Sequence, residues 1–307
     1  MTSWGFDDQH QVATRQQLLQ SGLTHGALVA QVVARRWRRL TPTVYVLHNG
    51  PLTQVQSWWA ATLAVGPLAG RTALQAWGLK GWESPHVEVL VPRGSRPPLP
   101  VAVDLLVHES RRFGEDDVHP AREPRRVHVS RAAVDAAAWT RDPRAACGLL
   151  AAVVQQRKST AAQLSAELGR AGQVRHAPLL RAVLSDIGGG ADALSEIDLA
   201  RLCTRFGLRV ADRQVVRRGP GGRRRYVDAR VEAPNGRFVL VEVDGALHLL
   251  VSSYWRDMER LNEIVIGGDR VLRFSSTAVR LDPEAVGNQL RRACGLPPLA
   301  PVGLHAA

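Results

Sequence analysis

Cysteine is scarce in this 307-residue chain: Cys147, Cys203 and Cys294 stand far apart and without a CxxC pair. Neither a disulfide framework nor a zinc knuckle is signalled, and three reduced, buried thiols are expected. Long apolar runs are missing as well. Nothing approaches the roughly 18 consecutive apolar residues of a spanning helix. The start, MTSWGFDDQHQ, has neither the basic opening nor the apolar core of a secretion signal. A soluble, cytoplasmic protein with no membrane partner is expected.

Acidic charge is in deficit, with 28 Asp and Glu against 40 Lys and Arg for a net charge of +12. Lysine is almost absent, only Lys80 and Lys158. Arginine in place of lysine can reflect codon bias, but the net imbalance cannot. Such a surface attracts polyanions and makes nucleic acid the expected partner. The charge is clustered: Arg205 to Arg230 holds nine arginines against Asp212 and Asp228, either as a polyanion contact or as a solvated loop. The 45% apolar and 22% charged content excludes disorder and fibre and suits two or three modest domains.

Periodicity divides the chain. Residues 12–22 read as a helix with Thr14 as cap, with Val12, Leu18 and Leu19 on one face, stopped by Gly22. Thr24 caps a second helix running to Arg35-Arg36-Trp37, with Leu28, Val32 and Val33 as its apolar stripe. Trp37, Leu40, Val44 and Val46 then alternate around Thr41-Pro42 as a short hairpin. The unit resembles a winged helix-turn-helix. Through GLT at 22–24, the Arg-Arg-Trp helix end, RRL and VYVL it is similar to the amino-terminal domain of the AbiEi-type antitoxin family. Pro42-Thr43 stands where that family has Arg-Gly. The resemblance implies that His25, Gln31, Arg35 and Arg36 meet a DNA groove or phosphates; a winged helix that binds protein instead is the alternative.

Residues 51–190 read as a connecting α/β-to-helical region. Helices are expected over Val55–Ala76, with Trp58, Trp59, Leu63, Leu74 and Trp77 as core. Strands are expected at His86–Val91 and Val101–His108, and helices from 131 to Leu184, broken by Gly172 and ended by Gly188-Gly189-Gly190. TALQAWGL and Arg131 to Asp135 again resemble AbiEi-like proteins. His86, His108, His119 and His128 share no metal-ligand spacing and read as surface or strand-end residues.

Residues 191–296 carry the candidate chemistry, with 297–307 as a tail. Ser195 caps a helix with Glu196 in its first turn and Gly207 as stop. Strands follow at Arg213–Arg217, after which comes a Gly-Pro-Gly-Gly turn, and at 225–232. Asn235-Gly236 signals a tight hairpin into Phe238–Gly245. Alternation puts Tyr226, Asp228 and Arg230 on one face of the first hairpin strand, and Phe238, Leu240, Glu242 and Asp244 on one face of the second. Asp228 and Glu242 can therefore converge, and with the Val243 carbonyl they would offer the hard oxygen donors that Mg²⁺ or Mn²⁺ prefers. Paired acids on strands repel one another without a cation.

A helix at 253–266, a strand at 270–275 and a helix at 283–294 complete the order α, three strands, α, β, α. With Ser195-Glu196, Asp228, VEVDGALH at 241–248, Asp257, Arg260 and VLRFS at 271–275, this resembles the PD-(D/E)XK restriction-endonuclease-like fold, nearest to a very-short-patch-repair-endonuclease-related domain of unknown function. The fold class expected overall is α/β (α+β multidomain).

The resemblance implies that Asp228 and Glu242 hold the metal and Glu196 assists through water. Asp244 occupies the position of the superfamily's usual lysine, and His248 is the candidate general acid or base. Arg223, Arg224 and Arg225 adjoin the Asp228 strand and suit phosphate contact. Asp257 and Arg260, one turn apart, read by default as an intrahelical ion pair.

The function expected is a metal-dependent DNA endonuclease located on DNA by the winged helix, in a defence or toxin–antitoxin setting. The alternative is a non-catalytic antitoxin-type DNA-binding regulator. RNA cleavage and a scaffold for a toxin or second protein partner are the remaining readings.

Overall fold

The structure, a computed structural model, describes residues 6–218, 224–244 and 270–299; at 189–197, 213–218, 224–228, 242, 244 and 275–277 it describes the backbone alone. The chain forms two compact units, Met1–Trp139 with Gln156–Ser159 and Ala166–Gln173, and Thr140–Gln155 with Thr160–Ser165 and Val174–Ala307. Helices and three small sheets make it mixed α/β. No helix among the described residues is long and apolar enough to cross a membrane.

The first unit opens with β1 (Val12–Thr14), α1 (Arg15–Gln20), α2 (His25–Val33), β2 (Arg38–Arg39) and β3 (Val44–Val46), whose strands form an antiparallel sheet in the order β1-β3-β2. Thr14 caps α1 in a reciprocal capping box with Gln17, and the Thr24 hydroxyl accepts from the Ala27 N–H to cap α2. Three expectations change here. Val12 is a strand residue, not a helical one. The second helix ends at Val33, and Arg35 turns into the left-handed region with φ 53°, so Arg35 and Arg36 lie in the turn beyond it. Val33 is 75% exposed whereas Leu28 is buried, because five residues along a helix is about 140° of rotation and leaves the apolar stripe.

The core continues past residue 50. Trp59 and Ala60 of α3 (Gln54–Ala64) pack with Val12, Leu40, Val44 and Val46, while Trp58 is only half-buried. Next come α4 (Gly70–Ala76), the parallel pair β4 (Val87–Pro92) and β5 (Leu105–Ser110), and α5 (Val129–Trp139). The second strand begins at Leu105, not Val101. The helices that follow are α6 (Pro143–Gln155), α7 (Ala161–Ala171), α8 (Ala177–Ser185) and α9 (Ala191–Arg205).

Gly188–Gly190 does not end the helical run. A π-helical stretch, Asp186–Gly190, joins α8 to α9. Glycine in a helix costs about 1 kcal/mol each. Here Arg280 offsets that cost by ion-pairing with Asp186 before the glycines and Asp198 after them. Glu196 consequently sits in the second turn of α9 and Ser195 is not its cap.

The rest of the second unit is β6 (Arg209–Arg218), β7 (Arg224–Glu232), β8 (Phe238–Asp244), β9 (Arg270–Ser275), α10 (Ser276–Leu281) and α11 (Pro283–Ala293). The sheet runs β6-β7-β8-β9, antiparallel except for the parallel β8–β9 pair. One core gathers Leu199, Leu202 and Cys203 of α9 and Phe206 just beyond it with Ala229, Val231, Val239, Val241, Leu272 and Phe274 of the strands and Val286 and Leu290 of α11. All three cysteines are buried and free, as expected, and burial pushes the Cys147 and Cys203 thiols up to about 12.

Candidate functional site

The β7–β8 hairpin sets the site. Its turn closes as the Asn235-Gly236 pair requires: Gly236 takes φ 74°, the Asn235 Oδ1 accepts from the Arg237 N–H at 3.1 Å, and Ala233 N–H donates to Arg237 at 2.8 Å. Ala229 then pairs with Val241, and these two residues are buried in the core. Asp228 and Glu242 are the next residue along each strand. Alternation places their positions on the face opposite that core, level with each other. In the β8–β9 ladder Glu242 pairs with Arg273, Val243 with Phe274 and Asp244 with Ser275. Arg273 is exposed. Two acids and an arginine thus occupy one level of three neighbouring strands.

Carboxylates at adjacent strand positions are a donor set that fits a hard divalent cation. Glu196 is carried on α9 rather than on the sheet. His248, Asp257, Arg260 and Arg223 lie outside the described residues. Among the described residues, no group of three or more His, Cys, Asp or Glu side chains is placed to hold a metal ion.

The arginine-rich run is a hairpin limb, not a solvated loop at every position. Arg217 stands opposite Arg225 and Arg218 opposite Arg224 where β6 meets β7. Like charges directly opposed on neighbouring strands destabilise a sheet, and a bound polyanion reverses that sign. Three of the other arginines are spoken for. Arg205 pairs with Glu284 at 3.3 Å, Arg209 with Glu232 at 3.4 Å and Arg230 with Asp212 at 2.5 Å. The Arg230 guanidinium also lies 4.1 Å from the centre of the Phe238 ring.

In the first unit, His25 opens α2 and is exposed, with its Nδ1 3.3 Å from Arg15 Nη2. Arg35 and Arg36 are exposed in the turn, and Gln31 is half-buried. The exposed face of α2 between them carries Val29 and Val33, so the four expected DNA contacts do not form one helical row.

Sequence reasoning missed three side-chain clusters. Arg131 is buried between Asp117 at 2.9 Å and Asp135 at 2.5 Å, extended by Arg112, Glu167 and Arg170. Burial works against the Arg131 charge, but Asp135 and Asp117 outweigh it and raise its pKa. The Arg131–Asp135 spacing of one helical turn was the readable part.

His108 is no strand-end residue. It lies mid-strand in β5, stacked on Trp139 at 3.4 Å and 3.9 Å from the buried Glu88 carboxylate. Burial lowers its pKa to about 4. The third cluster joins Trp77, His119 and His128 with Arg122 and Arg126; no sequence spacing announces it.

A scan of protein-family models gave no match to the chain, and a search of curated proteins gave no significant match.

Proposed function

We propose that the chain is a divalent-cation-dependent DNA endonuclease, with the carboxy-terminal sheet as its catalytic part and the amino-terminal three-stranded, two-helix unit as a winged helix that locates it on DNA. The observation that carries this reading is the level placement of Asp228 and Glu242 on β7 and β8, away from the core, with Arg273 in register beside Glu242. The strand arrangement suits the PD-(D/E)XK resemblance: a helix, three antiparallel strands, and a fourth strand parallel to the third.

Asp228 and Glu242 would hold Mg²⁺ or Mn²⁺, with the Val243 carbonyl as a further oxygen donor. Such an ion, when bound, lowers the pKa of water and offsets charge growing on a phosphate. The chain's own residues do the rest. The opposed arginines at 217, 218, 224 and 225 hold the phosphodiester backbone against the hairpin. Asp244 cannot give the positive charge of the superfamily's usual lysine; Arg273, at the level of Glu242, supplies a cation from the neighbouring strand. Glu196 and His248 are the auxiliary acid and the proton-transfer group of this reading.

The experiment is cleavage of supercoiled, linear and single-stranded DNA with Mg²⁺, Mn²⁺ or EDTA, beside Asp228→Ala and Glu242→Ala. Metal-dependent cutting that both substitutions abolish is expected. Sequence-selective binding without cutting in a folded wild type would replace this reading with that of an antitoxin-type regulator, a reading favoured by Asp244 standing where a lysine is usual.

A further inference from the structure

The Trp77 cluster in the first unit has no role in that mechanism. Its geometry is fixed from the backbone outward. Val118 and Val127 form an antiparallel bridge, His119 N–H donates to Arg126 at 2.9 Å and His128 N–H to Asp117 at 2.9 Å. This pairing sets the His119 and His128 rings 5.2 Å apart. Trp77, at the end of α4, donates its indole N–H to the Val127 carbonyl at 3.0 Å, which locks the ring beside them. His119 meets that ring edge-on at 5.1 Å. The guanidinium carbons of Arg122 and Arg126 lie 5.8 and 5.5 Å from its centre.

Arg126 is buried and held by the carbonyls of Ala76, Glu123 and Pro124, so its charge cannot swing away. Arg122 is exposed, and both histidines are half-exposed. Lys158 reaches over Gly78, the residue after Trp77; its Nζ would lie 3.1 Å from a Cβ there.

The charge around these groups is one-sided. Desolvation, and then His128, Arg122 and Arg126, all hold His119 below the ordinary histidine value, and no carboxylate acts in the other direction. Desolvation first and Arg122 second lower the Arg126 pKa, with Glu123 as the acid opposing them; the nearby Glu115 is taken by Arg125 at 2.8 Å. The His119 Nδ1 accepts from the Ala121 N–H at 3.2 Å, which leaves the ring's proton on Nε2 as a donor. Cations collected on a fixed aromatic support and outnumbering the acid beside them repel one another, and a bound anion relieves that repulsion.

We infer that Trp77, His119, Arg122, Arg126 and His128 form a binding site for the phosphodiester backbone of nucleic acid, separate from the carboxy-terminal arginines. The site is an open surface, where a single phosphate gains little. A polyanion that also meets other basic residues gains counterion release at each contact. The inference rests on the nucleic-acid part of the proposed function and not on cleavage.

The test is equilibrium binding of a labelled DNA duplex and single strand in EDTA across a salt series, for wild type, Arg122→Ala, His119→Ala/His128→Ala and Arg93→Ala. The last removes the same charge from another exposed position of the same unit. Arg122→Ala is expected to weaken binding about five- to tenfold and to reduce the salt slope by about one, more than Arg93→Ala does. The double histidine variant is also expected to weaken binding, because it removes the imidazole N–H donors of the contact. Imidazole proton NMR of the wild type supplies the second readout. DNA is expected to shift the His119 and His128 imidazole resonances, and inorganic phosphate at the same phosphate concentration is not.

Equal binding by Arg122→Ala and wild type, or equal losses for Arg122→Ala and Arg93→Ala, would overturn the site. A shift with inorganic phosphate as large as with DNA would overturn its assignment to nucleic acid. Cleavage plays no part in these readouts, so absence of nuclease activity leaves the site standing, and loss of the site leaves a metal-dependent nuclease standing.

Discussion

Glu242 of β8 pairs in register with Arg273 of the parallel strand β9. The pairing gives the acidic position a cation on one side while Asp228 supplies a second acid from β7. If a divalent ion is held between the acids, Asp228→Ala and Glu242→Ala each lower cleavage at least about 100-fold, as loss of a metal ligand does. Mg²⁺ raises the melting temperature of the wild type by mass action but not that of either variant. In metal-free buffer Asp228→Ala melts no lower than the wild type, because it removes like-charge repulsion. Arg273→Ala is expected to lower cleavage about tenfold or more, with partial recovery in Arg273→Lys. A metal-independent melting temperature in the wild type would count against the cation.

The buried network around Arg131 predicts a stability effect. Arg131→Ala strands the Asp117 and Asp135 carboxylates in the interior, and the expected loss is about 3–5 kcal/mol. Replacing both Arg131 and Asp135 with apolar residues is expected to cost less than Arg131→Ala alone, since fewer unpaired charges remain buried. Urea unfolding of the single and double variants measures both.

His108 predicts a pH dependence. Its pKa is lowered from 6.5 to about 4 by burial against Trp139, so the unfolded chain binds its proton before the folded chain does. The stability it contributes is complete above pH 6.5, falls as pH drops from 6.5 toward about 4, and levels below that. Allowing for partial exposure, the change is about 2–3 kcal/mol. His108→Phe keeps the stacking and removes the titration; unfolding free energies of variant and wild type between these limits are expected to diverge by that amount.

Gly287 predicts a packing limit under the carboxy-terminal sheet. A Cβ there would lie 2.5 Å from the ring of Phe206, the residue that follows α9. Gly287→Ala is expected to destabilise the second unit by about 1–3 kcal/mol through overpacking, offset in part by Phe206→Leu. Additive losses in the double variant would show that the two residues do not share the space.

Local signals were readable where one residue type decides the backbone. Thr14 and Thr24 cap their helices, Gly172 and Gly207 lie past helix ends with positive φ, and Asn235-Gly236 makes its hairpin turn. The triple glycine misled because its cost is met from elsewhere in the chain, by Arg280 reaching Asp186 and Asp198. Val33 misled because an apolar residue one step off a helical stripe looks in sequence like one on it.

The sequence by itself determined the basic surface, the reduced cysteines and the alternation that puts Asp228 and Glu242 on one side of their strands, since composition and period-two geometry need no partner. Only the tertiary structure decided what stands beside them. Arg273 reaches the level of Glu242 through a parallel pairing between distant segments, and His119, His128 and Trp77 meet through a bridge and an indole hydrogen bond. Contacts of that kind are set by strand register and packing, which no local run of residues encodes.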